Sequence, residues 1–98
     1  MVLHTPCEAL RSAKCLELRY DGYVRVVEVH AVGITDEGNG IMLVWQVRGG
    51  SNSGERQGWK LMRLDETFFI HLIEEKSFAP RAGYKRGDKA MASVMCEI

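Results

Sequence analysis

The chain opens on a helical pattern and then turns to two-residue alternation. Thr5-Pro6-Cys7-Glu8 reads as a capping box: Thr5 caps, Pro6 suits the first helical position and Glu8 stands three residues after the cap. Leu10 and Ala13 then fall on one helical face, which predicts a short helix over about 5–14. A helix of that length has to pack on something to persist. Residues 15–20 alternate, with Leu16, Leu18 and Tyr20 on one face and Cys15, Glu17 and Arg19 on the other, the pattern of a half-buried strand. Asp21-Gly22 then supplies a tight hairpin turn.

Residues 23–35 form a longer run of strand formers whose alternation slips. Arg25 and Glu28 stand three apart, so both reach solvent only if a β-bulge near Val26-Val27 shifts the phase and sharpens the bend. Gly33 marks a second candidate bend. After a turn at 36–40, residues 41–48 read as a central strand with Ile41, Leu43, Trp45 and Val47 in phase toward the core. Residues 49–58 read as a glycine-rich hairpin tip, residues 59–64 as the next strand and residues 68–73 as another, interrupted at 65–67. Residues 74–90 look loop-like, and 91–98 offer a last short edge strand.

A helix followed by about five strands in meander predicts a mainly β, single-domain fold over residues 1–98: a small, bent, five-stranded barrel of SH3-like or Sm-like type. Closure is the usual way for so small a sheet to avoid exposed edges.

Composition narrows the class. The chain has 98 residues, 46% hydrophobic and 27% charged, which is globular rather than disordered. Thirteen basic residues balance thirteen acidic ones, so attraction to a polyanion has to come from local patches. No signal-peptide pattern opens the chain and no apolar stretch is long enough to cross a bilayer. Cys7, Cys15 and Cys96 are odd in number and irregularly spaced, which reads as three reduced thiols in a cytoplasmic protein.

Several segments resemble the WYL domain, a ligand-sensing module of bacterial transcriptional regulators. They are Leu18-Arg19-Tyr20, Arg25-Val26-Val27-Glu28-Val29-His30, Leu43-Val44-Trp45-Gln46, and 59–66, Trp-Lys-Leu-Met-Arg-Leu-Asp-Glu. The resemblance covers residues 16 to about 91 and implies an Sm-like, SH3-like barrel that senses nucleic acids or small polar ligands through basic residues on one face. The naming tripeptide of the family stands here as Ile41-Met42-Leu43, Val29 replaces the proline of the second strand, and no helix-turn-helix pattern lies ahead of the domain.

Arg25, Arg48, Lys60 and Arg63, with Tyr20 and Trp59 nearby, are the candidate ligand-binding residues. On a barrel face they would form a receptor for phosphate or carboxylate, which arginine binds bidentately. The bland alternative is a solvated face whose charges pair with Glu17 and Glu28. A second segment, 76–89, carries five basic residues against one acidic, after four acidic residues at 65–75. It reads either as a loop folding back on the acidic strand to close the barrel, or as an arm for single-stranded nucleic acid through Arg81, Tyr84, Lys85 and Arg86. Trp45 is expected in the core and Trp59 at a groove mouth.

His4, His30 and His71 share no metal-ligand spacing with the cysteines, no nucleophile signature surrounds Cys15 or Cys96, and no cofactor motif is present. The expected function is a stand-alone sensing module for a small anionic ligand, a nucleotide or single-stranded nucleic acid, with no catalysis and no membrane partner. The alternative is a protein-interaction or self-assembly domain, a homo-oligomer joined through edge strands such as 91–98.

Overall fold

A computed structural model describes residues 4–98. Its elements are α1 (His4–Ser12), β1 (Lys14–Tyr20), β2 (Tyr23–Ile34), β3 (Gly40–Gly49), β4 (Gly58–Arg63), a 3-10 turn at Leu64–Glu66, β5 (Thr67–Lys76) and β6 (Ser93–Glu97). Thr5 lies inside α1 and not at its cap. The chain leaves the helix through Ala13 at φ 57°, whose N–H donates to the Leu10 carbonyl. Asp21 and Gly22, at φ 51° and 80°, make the expected hairpin turn, since positive φ at both central residues matches the twist of the flanking strands.

The six strands form one antiparallel sheet in the order β4-β3-β2-β1-β5, with β6 added on β2. β3 runs along one edge of β2 from Arg25 to Ile34. The other edge is divided: β1 pairs with the Tyr23–Val27 half and β6 with Ala31–Ile34. Among the described residues no ladder joins β4 to β5, so hydrogen bonding does not close the sheet. The register of β2 against β3 shifts between Val26 and Val27, where the extra residue is Val47 of β3, and again between Val29 and Ala31, where it is His30 of β2. The bulge expected in β2 near Val26-Val27 is therefore not there, and β2 pairs with β1 without a break across 23–27. Gly33 marks a close approach: a Cβ there would meet the Ser93 carbonyl and the Met91 sulfur.

The main core gathers Leu16 and Leu18 of β1, Val27, Val29 and Val32 of β2, Met42 and Val44 of β3, and Met62 of β4, with Cys7 and Ala9 of α1 laid across them. A smaller cluster of Ala31, Ile41 and Met91 lies apart from it. β2 is buried without interruption from Arg25 to Gly33, because the segment after β5 folds back across the sheet. That coverage explains two departures from the sequence reading. Met42, Val44 and Gln46 are the fully buried side chains of β3, whereas Leu43, Trp45 and Val47 are half-buried; Trp45 therefore does not stand in the main core. Arg25 and Glu28 do not reach solvent: they are 3% and 0% exposed. An apolar alternation cannot say which face is the core when both are covered.

The cysteines also correct the sequence reading. Cys7 and Cys96 are joined in a disulfide that ties α1 to β6 across 89 residues, so three reduced thiols is wrong. Cys15 alone is free, and it is buried. Irregular spacing hides such a pair, because only the fold brings the two ends of the chain together.

Candidate functional site

Arg25 is the pivot of the end of the sheet next to the β1–β2 turn. Its Nε and Nη2 donate to the Tyr20 carbonyl at 3.2 and 3.1 Å, and its Nη1 donates to Gln46 Oε1 at 3.2 Å. Gln46 in turn donates from Nε2 to the carbonyls of Gly50 and Arg56, both at 3.1 Å, and so draws the 50–57 loop in over this end. Gly50 packs on the Tyr23 ring, where any Cβ would collide with it. The guanidinium also lies 5.2 Å from the centre of the Tyr20 ring. This side chain is held too tightly to be a swinging surface arm.

The captured loop places Ser51 and Ser53 beside Lys60 of β4. Lys60 Nζ donates to the two hydroxyls at 3.1 and 3.4 Å. A cavity of about 210 Å³ results, walled by Tyr20, Asp21, Arg25, Ser51, Ser53 and Lys60. The electrostatics are lopsided. The buried guanidinium has one carboxylate in reach, Asp21 at 4.0 Å, and Lys60 has none within ion-pair distance among the described residues. A buried cation without a close counter-charge is costly, and an entering anion lowers that cost. Burial pushes the Tyr20 phenol above its ordinary value, so it stays neutral, donating to Glu66 Oε1 and accepting from the Arg63 N–H.

The structure thus brings together Tyr20, Arg25 and Lys60 and disperses the other candidates. Arg48 forms a two-pronged pair with Glu75 at 2.8 and 2.7 Å on an exposed flank, and that bond holds the Glu75 carboxyl below its usual range. Arg63 pairs with Asp65 in the same manner at 3.0 and 2.6 Å, and also donates to Asn39. Trp59 lies next to Lys60 in sequence but pairs across the strands with Trp45, with ring centres 5.4 Å apart. The sequence reading missed Gln46, Ser51 and Ser53. Gln46 carried a signal, being the one polar residue in the apolar run 41–47; the serines carried none beyond their glycine-rich surroundings.

The basic segment after β5 folds back, but not onto the acids at 65–75. Arg81 Nε donates to Glu28 Oε1 at 2.6 Å, its Nη2 to Oε2 at 3.1 Å, and the Phe78 N–H to Oε2 at 2.7 Å. The Arg81 N–H donates to His30 Nε2 at 2.9 Å, which leaves the His30 proton on Nδ1, 3.0 Å from the Glu28 carbonyl. Arg86 pairs with Glu97 of β6. Tyr84 donates to the His30 carbonyl, and Lys85 is exposed. Of the four residues of the expected nucleic-acid arm, Arg81 is therefore committed to holding the segment down. His71 on β5 lies against Glu17.

Comparison with known proteins returns no match to a family model, to a curated protein or to a solved structure.

Proposed function

We propose that this domain is a binding module for a small ligand bearing a phosphate or carboxylate group, held at the Tyr20–Arg25–Lys60 cavity. The observation that carries this reading is a buried guanidinium and an ammonium facing one cavity, with a single carboxylate 4.0 Å from one of them. Lys60 supplies the mobile contact, the Ser51 and Ser53 hydroxyls orient it, and Arg25 contributes fixed positive potential while holding the walls in place. The SH3-like, Sm-like barrel and the WYL-like character expected from the sequence belong to this proposal; what favours a barrel-like bend is the pair of register shifts between β2 and β3, while no ladder joins β4 to β5 among the described residues. In this reading the module senses and does not catalyse: the Cys15 thiol, pushed up to about 11 mainly by burial, is protonated and no nucleophile. A disulfide spanning the chain fits an oxidising compartment better than the cytoplasm inferred from three free thiols.

Calorimetry with inorganic phosphate, pyrophosphate and citrate tests the proposal. At least one of them binds the native domain, and Lys60→Ala weakens it tenfold or more without moving the melting temperature. Equal affinity in both proteins would refute the site.

A second reading, self-association, draws on one observation. β5 is an end strand of the sheet with Phe68 and Phe69 59% and 78% exposed. It requires a concentration-dependent oligomer that Phe69→Lys dissolves.

A further inference from the structure

The face of β4 opposite Lys60 carries a different arrangement. Trp59 and Tyr84 lie with ring centres 6.2 Å apart and planes 28° from parallel, and both pack on the His30 ring, at 4.7 and 5.1 Å. The Tyr84 hydroxyl is fixed on the His30 carbonyl, so its ring is set in place. Beside these rings opens a cavity of about 460 Å³, walled by Trp59, Tyr84, Lys85, Arg86 and Lys89, with one carboxylate, Asp88, in the same wall. The 81–91 segment that builds it is held by hydrogen bonds of its own and by bonds to β2 and β6. Tyr84 N–H donates to the Arg81 carbonyl, Met91 N–H to the Asp88 carbonyl, and Asp88 Oδ1 accepts from the Ala90 N–H. Arg86 is paired with Glu97, whereas Lys85 and Lys89 have no carboxylate within ion-pair distance among the described residues.

Paired aromatic faces next to unpaired cations match one chemistry, a flat heteroaromatic ring joined to an anion. We propose that this cavity takes a nucleotide unit, its base against Trp59 and Tyr84 and its phosphate on Lys85 and Lys89. Rings pre-set by packing lose little freedom when a base stacks on them, and stacking tolerates any base because each has a π-face. The cations select for the phosphate without reading sequence. A mononucleotide and one residue of a single strand present the same chemistry, so both sources remain candidates for the test. The site is separate from the Tyr20–Arg25–Lys60 cavity and does not depend on it.

Amide shifts of ¹⁵N-labelled protein, titrated with adenosine, 5′-AMP and an eight-residue oligothymidylate, decide the matter. The expected result is saturable movement of the amides of 83–89 and the Trp59 indole with AMP, with the oligonucleotide, or with both, and binding of adenosine tenfold or more weaker than that of whichever phosphate-bearing ligand binds. AMP binding as tightly as the oligonucleotide identifies the free nucleotide. Binding of the oligonucleotide alone identifies the strand, and log affinity against log salt then loses about 1.4 of its slope in the Lys85→Ala/Lys89→Ala protein. That double variant removes only exposed side chains, so its fold is retained, and it loses tenfold or more in affinity while Lys60→Ala loses none. No shift at 83–89 with any of the three overturns the proposal. Shifts abolished by Lys60→Ala but not by the double variant overturn it too, and assign the nucleotide to the other cavity.

Discussion

Arg81 closes a hydrogen-bonded ion pair on Glu28 at 2.6 Å, joining the centre of β2 to the segment after β5 across 53 residues of sequence. The Glu28 carboxylate is 1% exposed and the Arg81 side chain 31%. The same carboxylate accepts the Phe78 N–H, and the arginine lies 5.5 Å from the centre of a Trp45 ring. This pair is why a polar residue is tolerated in the most buried strand, and why the outer face of the sheet is covered. Arg81→Met strands a buried carboxylate and is expected to cost about 3 kcal/mol, whereas Glu28→Gln/Arg81→Met, which removes both charges, costs less than Glu28→Gln and Arg81→Met together. Urea unfolding of the four proteins checks the coupling.

His30 makes the same latch sensitive to pH. Burial, the largest influence, holds its folded pKa below the ordinary imidazole value of 6.5, and the neighbouring Arg81 acts in the same sense, while the Glu28 carbonyl and carboxylate oppose it. Nε2 accepts the Arg81 N–H, so protonation there breaks a hydrogen bond of the latch. The unfolded chain takes up this proton at a higher pH than the folded one. The contribution is therefore complete above 6.5 and is lost as pH falls from there through the folded pKa. Urea midpoints measured between pH 7.5 and 5 are expected to fall on the acid side, and His30→Gln to flatten that slope.

The thiols give a sharper count. Cys7 and Cys96 are bonded and Cys15 is free, buried and pushed up to about 11. A thiol reagent is expected to find no reactive group in the native protein, one after denaturation and three after denaturation with reductant. Reducing the bond releases a loop of 89 residues and lowers the unfolding free energy by about 4–5 kcal/mol on loop-closure entropy.

Arg25 bears on the fold as much as on the site. Arg25→Met leaves the Tyr20 carbonyl and Gln46 Oε1 without their donor, and Gln46 then holds the 50–57 loop less firmly. The loss expected is about 2–4 kcal/mol, seen as a fall in the denaturant midpoint, together with weaker anion binding. Lys60→Ala separates the two effects, because Lys60 contacts only the serine hydroxyls and its removal leaves the backbone bonds intact.

The elements were legible where local chemistry sets them. Asp21-Gly22 announces its turn and Leu16 and Leu18 announce the inner face of β1, whereas the Arg25–Glu28 spacing misled: β2 keeps its phase there and the two side chains point to opposite, covered faces. What was not legible depends on contacts far apart in the chain. Trp45 and Leu43 look like core residues because they are apolar, yet the side of β3 they occupy is covered by a segment forty residues away, and Gln46 takes the inner side because Arg25 waits there. Among the candidate site residues, Tyr20, Arg25 and Lys60 meet, while Arg48 and Arg63 are drawn off by Glu75 and Asp65. A charge pattern says which residues carry charge but not which partner claims them.

Mapping a phosphate titration onto assigned amide resonances tests the central claim most directly. The expected result is a saturable shift of Asp21, Ser51, Asn52, Ser53 and Lys60, abolished in Lys60→Ala, with the amide of Arg48 unmoved. A titration that leaves the 51–53 amides in place, or that moves them identically in Lys60→Ala, would contradict an anion site at this end of the sheet.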